Sequence, residues 1–445
     1  MKRLSLTVFL GLFIFSMSYA QELNIEFEEY DLDNGLHVIL HEDHSVPIVA
    51  TTVLYHVGSK DEDPERTGFA HFFEHLMFEG SENLGRGEFD DHVEEAGGTL
   101  NANTSQDRTF YYEVVPSNQL ELTLWLESER MLHAKIDSVG IETQREVVKE
   151  EKRQRYDNQP YGTWTLNLFD RAYKESSYNW SPIGSLEHLN AATKEEFIAF
   201  YKKFYIPNNA VLSIAGDIDL AQTKEWVEAY FGPIPKGKEV ERNYIIEPKQ
   251  TAEVRDTVYD NIQLPAVFHA YKTPAMGTQE SYAVDMLMQL LSQGESSRLN
   301  KSVRDKQQKA IQVAAFPFSL ENDPSISVTL GLANFGVEPA DLEEAMEAEY
   351  EKVKDELISE NEFQKLRNQI ENDFFSSNSS MAGIAESLAD YYAYYDKNTN
   401  LINTEIEKYL SVTREDIQKM AQKYLVKENR VTLYYLPKPQ AEQEQ

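Results

Sequence analysis

A repeat at a constant offset of 220 residues constrains this chain more than any other feature. Thr193-Lys194-Glu195-Glu196-Phe197 opens a helix that runs to Lys203-Phe204, and Asn209-Ala210-Val211-Leu212 then opens a strand. Thr413-Arg414-Glu415-Asp416-Ile417 opens a second helix to Lys423-Tyr424, and Asn429-Arg430-Val431-Thr432 a second strand. Both helices begin with a Thr N-cap and an acid three residues on, the pattern that satisfies two orphan N–H groups reciprocally. Duplication predicts two homologous halves, each with its own core, and the 445 residues are too many for one core.

The boundary is also visible. Gly232-Pro233-Ile234-Pro235-Lys236-Gly237-Lys238 can continue neither a helix nor a central strand. We read residues 21–232 as a first domain, 233–252 as a linker, 253–440 as a second, homologous domain and 441–445 as a tail. In the first half, Asp33-Asn34-Gly35 predicts a hairpin turn, and strands are expected at 48–57 and 109–115. Helices are expected over 68–79, 118–133, 141–157 and 194–204. Hairpin-like strands mixed with helices indicate the α+β class: two α/β sandwich domains, each a mixed sheet packed with helices.

Residues 1–20 carry an address. Lys2 and Arg3 precede the apolar run Leu4 to Phe15, and Ser18-Tyr19-Ala20 supplies the small residues of a cleavage site. This is the pattern of a secretory signal peptide, with an uncleaved anchor as the alternative. A periplasmic or extracellular location follows, with no later span apolar enough for a bilayer. No Cys follows the signal to take a lipid.

Charge and cysteine usage then narrow the chemistry. Lys and Arg number 42 against 75 Asp and Glu, a formal balance of −33. That argues against nucleic acid, whose binders need a basic footprint, and it suits cationic peptides. Zero Cys removes thiol catalysis and thiolate zinc sites, so any metal must sit on His, Asp or Glu.

His71-Phe72-Phe73-Glu74-His75 is the segment that meets this demand. At about 100° per helical residue, His71, Glu74 and His75 share an arc of roughly 100°, while Phe73 points to the opposite face. Imidazoles one turn apart can reach one zinc ion, and a carboxylate between them can take a proton from a water that the ion activates. The order is the inverted form of the His-Glu-x-x-His metallopeptidase signature. The bland alternative is an amphipathic helix with two ordinary histidines. A hydrolytic zinc site needs a third protein ligand. In the helix expected over 141–157, Glu151 follows the apolar Val147 and Val148 by four and three residues, on the same face. A half-buried acid there needs a cation, which is either a metal or a basic neighbour on its own helix. Glu146 and Glu150 fall away from that face.

Taken together, the chain resembles the pitrilysin and insulinase superfamily of inverzincins, in the short two-domain branch similar to mitochondrial processing peptidase. The likeness spans residues 24–437. It rests on His71 to His75, Gly97-Gly98-Thr99-Leu100-Asn101-Ala102, Asp107-Arg108-Thr109-Phe110-Tyr111, Arg145 to Glu151, Asn158-Gln159-Pro160-Tyr161, Ile183-Gly184 and Ser296-Ser297-Arg298-Leu299. The resemblance implies that His71, His75 and Glu151 bind one zinc per chain and that Glu74 is the general base. It implies that Asn101 and Ala102 lie on an edge strand to which an extended peptide adds. It implies half of a clamshell whose closed chamber admits short or unfolded peptides. Gln144 stands where many relatives carry a Glu that supports a ligand, so looser ligand orientation is expected. The family also implies an Arg and, seven residues on, a Tyr that hold substrate from the opposing shell. Arg304 is present here, but Ile311 replaces the Tyr. A hetero-oligomer with a related subunit supplying the pair is therefore expected, with a homodimer as the alternative. The competing function is a non-catalytic peptide-binding or assembly subunit.

Overall fold

The computed structural model describes residues 24–322 and 324–439. The signal peptide read over 1–20 and the tail over 441–445 lie outside the described residues. Strands β1 (Glu28–Asp31), β2 (His37–Glu42), β3 (Ile48–Tyr55), β4 (Thr99–Thr104), β5 (Thr109–Pro116) and β6 (Ala210–Gly216) form one sheet, in the order β1-β2-β6-β3-β5-β4. Strands β7 (Val254–Asp260), β8 (Ala266–Thr273), β9 (Ala310–Phe318), β10 (Ser325–Ala333) and β11 (Arg430–Pro437) form the other, in the order β7-β11-β8-β10-β9. Without β1 the two orders are the same. In each, one pair is parallel (β2 with β6, β7 with β11) and the rest are antiparallel.

The sequence repeat has a structural counterpart residue by residue. Thr193 and Glu196 close a capping box, with Glu196 accepting the Thr193 N–H at 2.7 Å; Thr413 and Asp416 close the other at 3.0 Å. The repeated asparagine does one job twice. Asn209 Nδ2 donates to Phe204 O at 2.8 Å and Asn429 Nδ2 to Tyr424 O at 3.0 Å, so each satisfies a carbonyl at the end of the helix before it.

Each half lends a helix to the other. One face of the first sheet packs on Phe69, Phe72, Phe73, Leu124 and Phe197 from its own helices. Its other face, with Ile39, Ala50, Leu54 and Val211, is covered by Ile384, Ala385 and Leu388 of the helix Met381–Tyr394, more than 150 residues downstream of that sheet. The second sheet mirrors this: Phe268, Val328 and Leu433 are covered by Leu168 and Phe169 of the helix Trp164–Ala172. With both faces covered, β3 is buried from Val49 to Tyr55 and β6 along its whole length, instead of alternating between buried and exposed residues. It also means that a cut at residue 232 separates the two sheets but not the two cores. Between Phe231 and Val254 no helix or strand forms. That segment is nonetheless fastened: Arg242 donates to Asp61 and Asn209, and one oxygen of Glu247 accepts the N–H groups of Lys174, Glu175 and Ser176.

The motif Asp107-Arg108 joins the halves. Asp107 accepts from the buried Lys60 ammonium at 2.8 Å and from Tyr178 at 2.7 Å, and Lys60 also reaches Glu321 of the second half. Arg108 pairs with Glu386 and Asp390 of the lent helix. Tyr161, at φ 62, donates its hydroxyl to Leu264 O at 2.6 Å. Among the described residues no helix is long and apolar enough to cross a membrane.

Beneath the first sheet two fully buried acids share one base. Arg130 lies 2.9 Å from Glu127 and 3.8 Å from Glu113, with its guanidinium against the rings of Phe78, Phe89 and Tyr111. One positive charge cannot balance two desolvated carboxylates, so a shared proton completes the set. Burial first, and then the Glu127 charge, push the Glu113 carboxyl well above the usual carboxylate range. The folded chain therefore holds a proton that the unfolded chain releases near pH 4.5. This contribution to stability is complete below that pH and is lost as pH rises, at up to about 1.4 kcal/mol per unit. Glu113→Gln keeps a donor toward Glu127 without the titration. Urea unfolding of both proteins from pH 5 to 9 should show the wild type losing stability faster.

Candidate metal centre and substrate cleft

The helix Phe69–Leu76 carries the centre, and its start is built from distant residues. Gly68 caps it at φ 94, a left-handed conformation that glycine adopts without strain. Gly184 lies against it so closely that a Cβ on Gly184 would meet Gly68 Cα at 2.3 Å, which gives the Ile183-Gly184 motif its role. Glu62 then accepts the N–H groups of Gly68 and Ala70, each at 2.8 Å, and the Trp180 indole N–H at 3.1 Å. Burial pushes the Glu62 carboxyl up to about 8, against the pull of these three donors. Phe69, Phe72, Phe73 and Leu76 are buried, with Phe73 among the rings of Phe200, Tyr201 and Tyr205. This burial fixes which face the polar residues show.

On that face His71, His75 and Glu151 converge, with one ligand atom of each within 4.8 Å of the others. Glu151 Oε2 lies 3.4 Å from His71 Nε2 and 3.2 Å from His75 Nε2. Glu151 lies in the last turn of the helix Ser138–Lys152, which continues as a π-helical turn over Arg153–Asp157. Its other oxygen pairs with Arg155 Nη1 at 2.9 Å. Both cations considered for Glu151 thus have a place, one per oxygen. Val148 is buried as expected, but Val147 is not: it is 43% exposed and lines the cleft, because the helix turns that side toward the opening.

The protonation states suit a metal. Burial, reinforced by His75, pushes His71 down to about 4, so its imidazole is neutral at neutral pH. Burial pushes Glu151 up, but its contacts with His75, His71 and Arg155 outweigh that and hold it below the usual range. Glu151 Oε2 and His71 Nδ1 are buried without a hydrogen-bond partner. Two imidazoles around a carboxylate oxygen that has no hydrogen-bond partner form a three-ligand set, which fits Zn2+ with a further position open. His75 Nδ1 faces Gln144 Oε1 at 3.1 Å, and Gln144 Nε2 donates to Glu79 Oε1 at 2.6 Å. Since Glu79 only accepts, the amide is oriented with its oxygen toward His75, leaving His75 Nε2 free for the metal. Glu79 is held in turn by Arg86. Gln144 thus offers His75 an amide oxygen where many relatives are expected to offer a carboxylate.

Glu74 accepts from Thr104 Oγ1 at 2.6 Å. Burial raises its carboxyl above the ordinary range, and the Thr104 bond opposes that. Asn101 and Ala102 lie on β4, which pairs with β5 on one side and ends the sheet on the other. Asn101 Oδ1 accepts the Ala102 N–H at 2.9 Å. A cleft of about 700 Å³ joins these groups, its walls including Phe78, Asp90, Leu100, Val147, Arg155 and Tyr156. No residue of the second half is among its lining residues. Arg304 stands elsewhere, paired with Glu295 and Asp305, and Ile311 is exposed on β9. Thr104, Glu62 and Asp90 were not singled out from sequence; Thr104, three residues beyond Asn101, was the one with a local signal.

Comparisons with known proteins agree with this geometry. Residues 37–184 match the family model described as Insulinase (Peptidase family M16), and residues 191–370 match the one described as Peptidase M16 inactive domain. The zinc protease PqqE of Helicobacter pylori is 31% identical over 428 residues, covering 94% of this chain and 95% of that one. The crystal structure of a protease from Helicobacter pylori superposes with a TM-score of 0.89 at 29% identity, over 93% of this chain and 100% of that one. The periplasmic protease PqqL from Escherichia coli shares the fold, with a TM-score of 0.76 at 18% identity, over 93% of this chain and 48% of that one.

Proposed function

Because the chain belongs to the insulinase family of peptidases, M16, we propose that it is a zinc-dependent endopeptidase acting on short or unfolded peptides. The convergence of His71, His75 and Glu151 beside Glu74 and an open sheet edge is the observation that carries this. A zinc ion held by the three ligands supplies Lewis acidity toward water and the scissile carbonyl. Everything else is the work of the chain. The free edge of β4 pairs with the peptide backbone and lays it across the helix Phe69–Leu76. Glu74 takes the proton of the attacking water and returns it to the leaving amine. Gln144 holds the His75 ring in one tautomer. The second half has no His-x-x-Glu-His, so each chain has one centre. The test is turnover of unstructured peptides by the purified chain, its loss on chelation and its return with zinc. Turnover that survives chelation would contradict this assignment.

Two finer features belong to the same proposal. The signal pattern at 1–20 supports an activity outside the inner membrane, in the periplasm or beyond. The cleft is lined only from the first half, so an opposing subunit that carries the Arg and Tyr pair closes the chamber. Arg304 without a Tyr at 311 makes a related second chain a better complement than another copy. Full activity of the chain alone, maintained across dilution, would contradict the need for a partner.

Substrate charge has a named residue. Asp90, third in the helix Glu88–Glu95, lines the cleft and has no ion-pair partner among the described residues. Burial first lifts its carboxyl above the usual range, against the pull of Arg130, and Glu94 and Asp91 add to the rise. A substrate Lys or Arg would relieve this. Asp90→Asn should lower kcat/KM for a Lys-bearing peptide by about two- to fivefold relative to a neutral analogue, with the difference fading in salt.

A further inference from the structure

Strand β4 does two things at once. It is the last strand of its sheet, with one edge paired to β5 and the other free. Its side chains alternate: Asn101 and Asn103 are exposed, whereas Leu100, Ala102 and Thr104 are half-buried. Thr104 therefore points off the exposed face, and its Oγ1 reaches Glu74 Oε2 at 2.6 Å. No other hydrogen bond to the Glu74 carboxylate is made among the described residues. Glu74 sits on a helix whose remaining contacts fix the backbone through Phe72 and Phe73, not the carboxylate. A Glu side chain has three rotatable bonds, and burial of Glu74 in the cleft wall narrows their rotamers without itself fixing the direction of the carboxylate. The Thr104 hydroxyl is the contact that selects one.

We propose that Thr104 is a positioning residue that ties Glu74 to β4, so that the strand receiving the peptide also sets the direction of the base. This rests on the peptidase assignment for its kinetic consequence but not for its structural one. If a peptide adds to β4, any shift of that strand is passed through Thr104 to Glu74. The hydroxyl also donates while the carboxylate accepts, which leaves the second carboxylate oxygen for the attacking water.

The test compares Thr104→Val, which keeps the shape and removes the donor, with Thr104→Ser, which keeps the donor. Loss of a hydrogen bond to a charged group should lower kcat by about ten- to a hundredfold in the Val variant, with KM within about twofold. The Ser variant should recover most of that loss, and bound zinc should be the same in all three proteins. Crystal structures of the metal-free proteins give a readout independent of turnover. The Glu74 carboxylate should occupy one position in wild type and Thr104→Ser, and several in Thr104→Val. A Val variant with wild-type kcat, or with Glu74 in its original position, would overturn the proposal. A raised KM at unchanged kcat would also overturn it, since Thr104 would then serve the strand alone. An inactive wild type with an ordered Glu74 would instead remove the peptidase assignment and leave the tether standing.

Discussion

Glu74→Gln should lower turnover by about two to four orders of magnitude while bound zinc stays at the wild-type level. The substitution is isosteric, and the Gln carbonyl can still accept from Thr104 Oγ1. The ligand atoms of His71, His75 and Glu151 are untouched. What is lost is a group able to take a proton, so the effect belongs to kcat and not to substrate affinity. Steady-state kinetics with metal analysis on the same sample checks both halves. Wild-type turnover in this variant would remove Glu74 from the chemistry.

His71→Ala and His75→Ala should behave differently, losing zinc itself. With one of three ligands gone, Glu151 Oε2 faces a single imidazole, and the set no longer suits a dication. A ligand that binds only the folded chain stabilises it, so zinc at 100 times Kd should stabilise the wild type by about 2.7 kcal/mol. Both variants should show almost none of this, and no turnover. Thermal unfolding with and without zinc measures the effect even where activity is undetectable. A variant stabilised by zinc as much as the wild type would show that the metal sits elsewhere.

Much of this centre was legible in the sequence because its signals are local. His71, Glu74 and His75 lie within one and a half turns, so helical periodicity alone puts them on one face. Glu151 was legible from its place beside Val148. The offset of 220 gave two sheets of the same topology because duplication preserves caps such as Thr193 and Thr413. What sequence could not supply was contact between distant segments. The exchange of the helices Trp164–Ala172 and Met381–Tyr394 leaves only amphipathic patterns, which do not say whose sheet they cover. Val147 was assigned to the buried face on its apolarity, but a cleft wall is apolar too. Gln144 was expected to orient the ion more loosely than the Glu of many relatives, and only the fold shows that its amide oxygen faces His75 Nδ1 at 3.1 Å. Glu62, and the contact of Gly184 with Gly68, hold the start of the helix Phe69–Leu76 across loops with no periodicity to reveal them.

One measurement addresses the metal centre most directly: anomalous diffraction at the zinc edge from crystals of the zinc-loaded chain. A single ion per chain is expected, about 2.0–2.2 Å from His71 Nε2, His75 Nε2 and a Glu151 oxygen, with Glu74 close by but not bound. No peak between these three side chains, or a peak held by other residues, would contradict the assignment of this site and the hydrolytic function built on it.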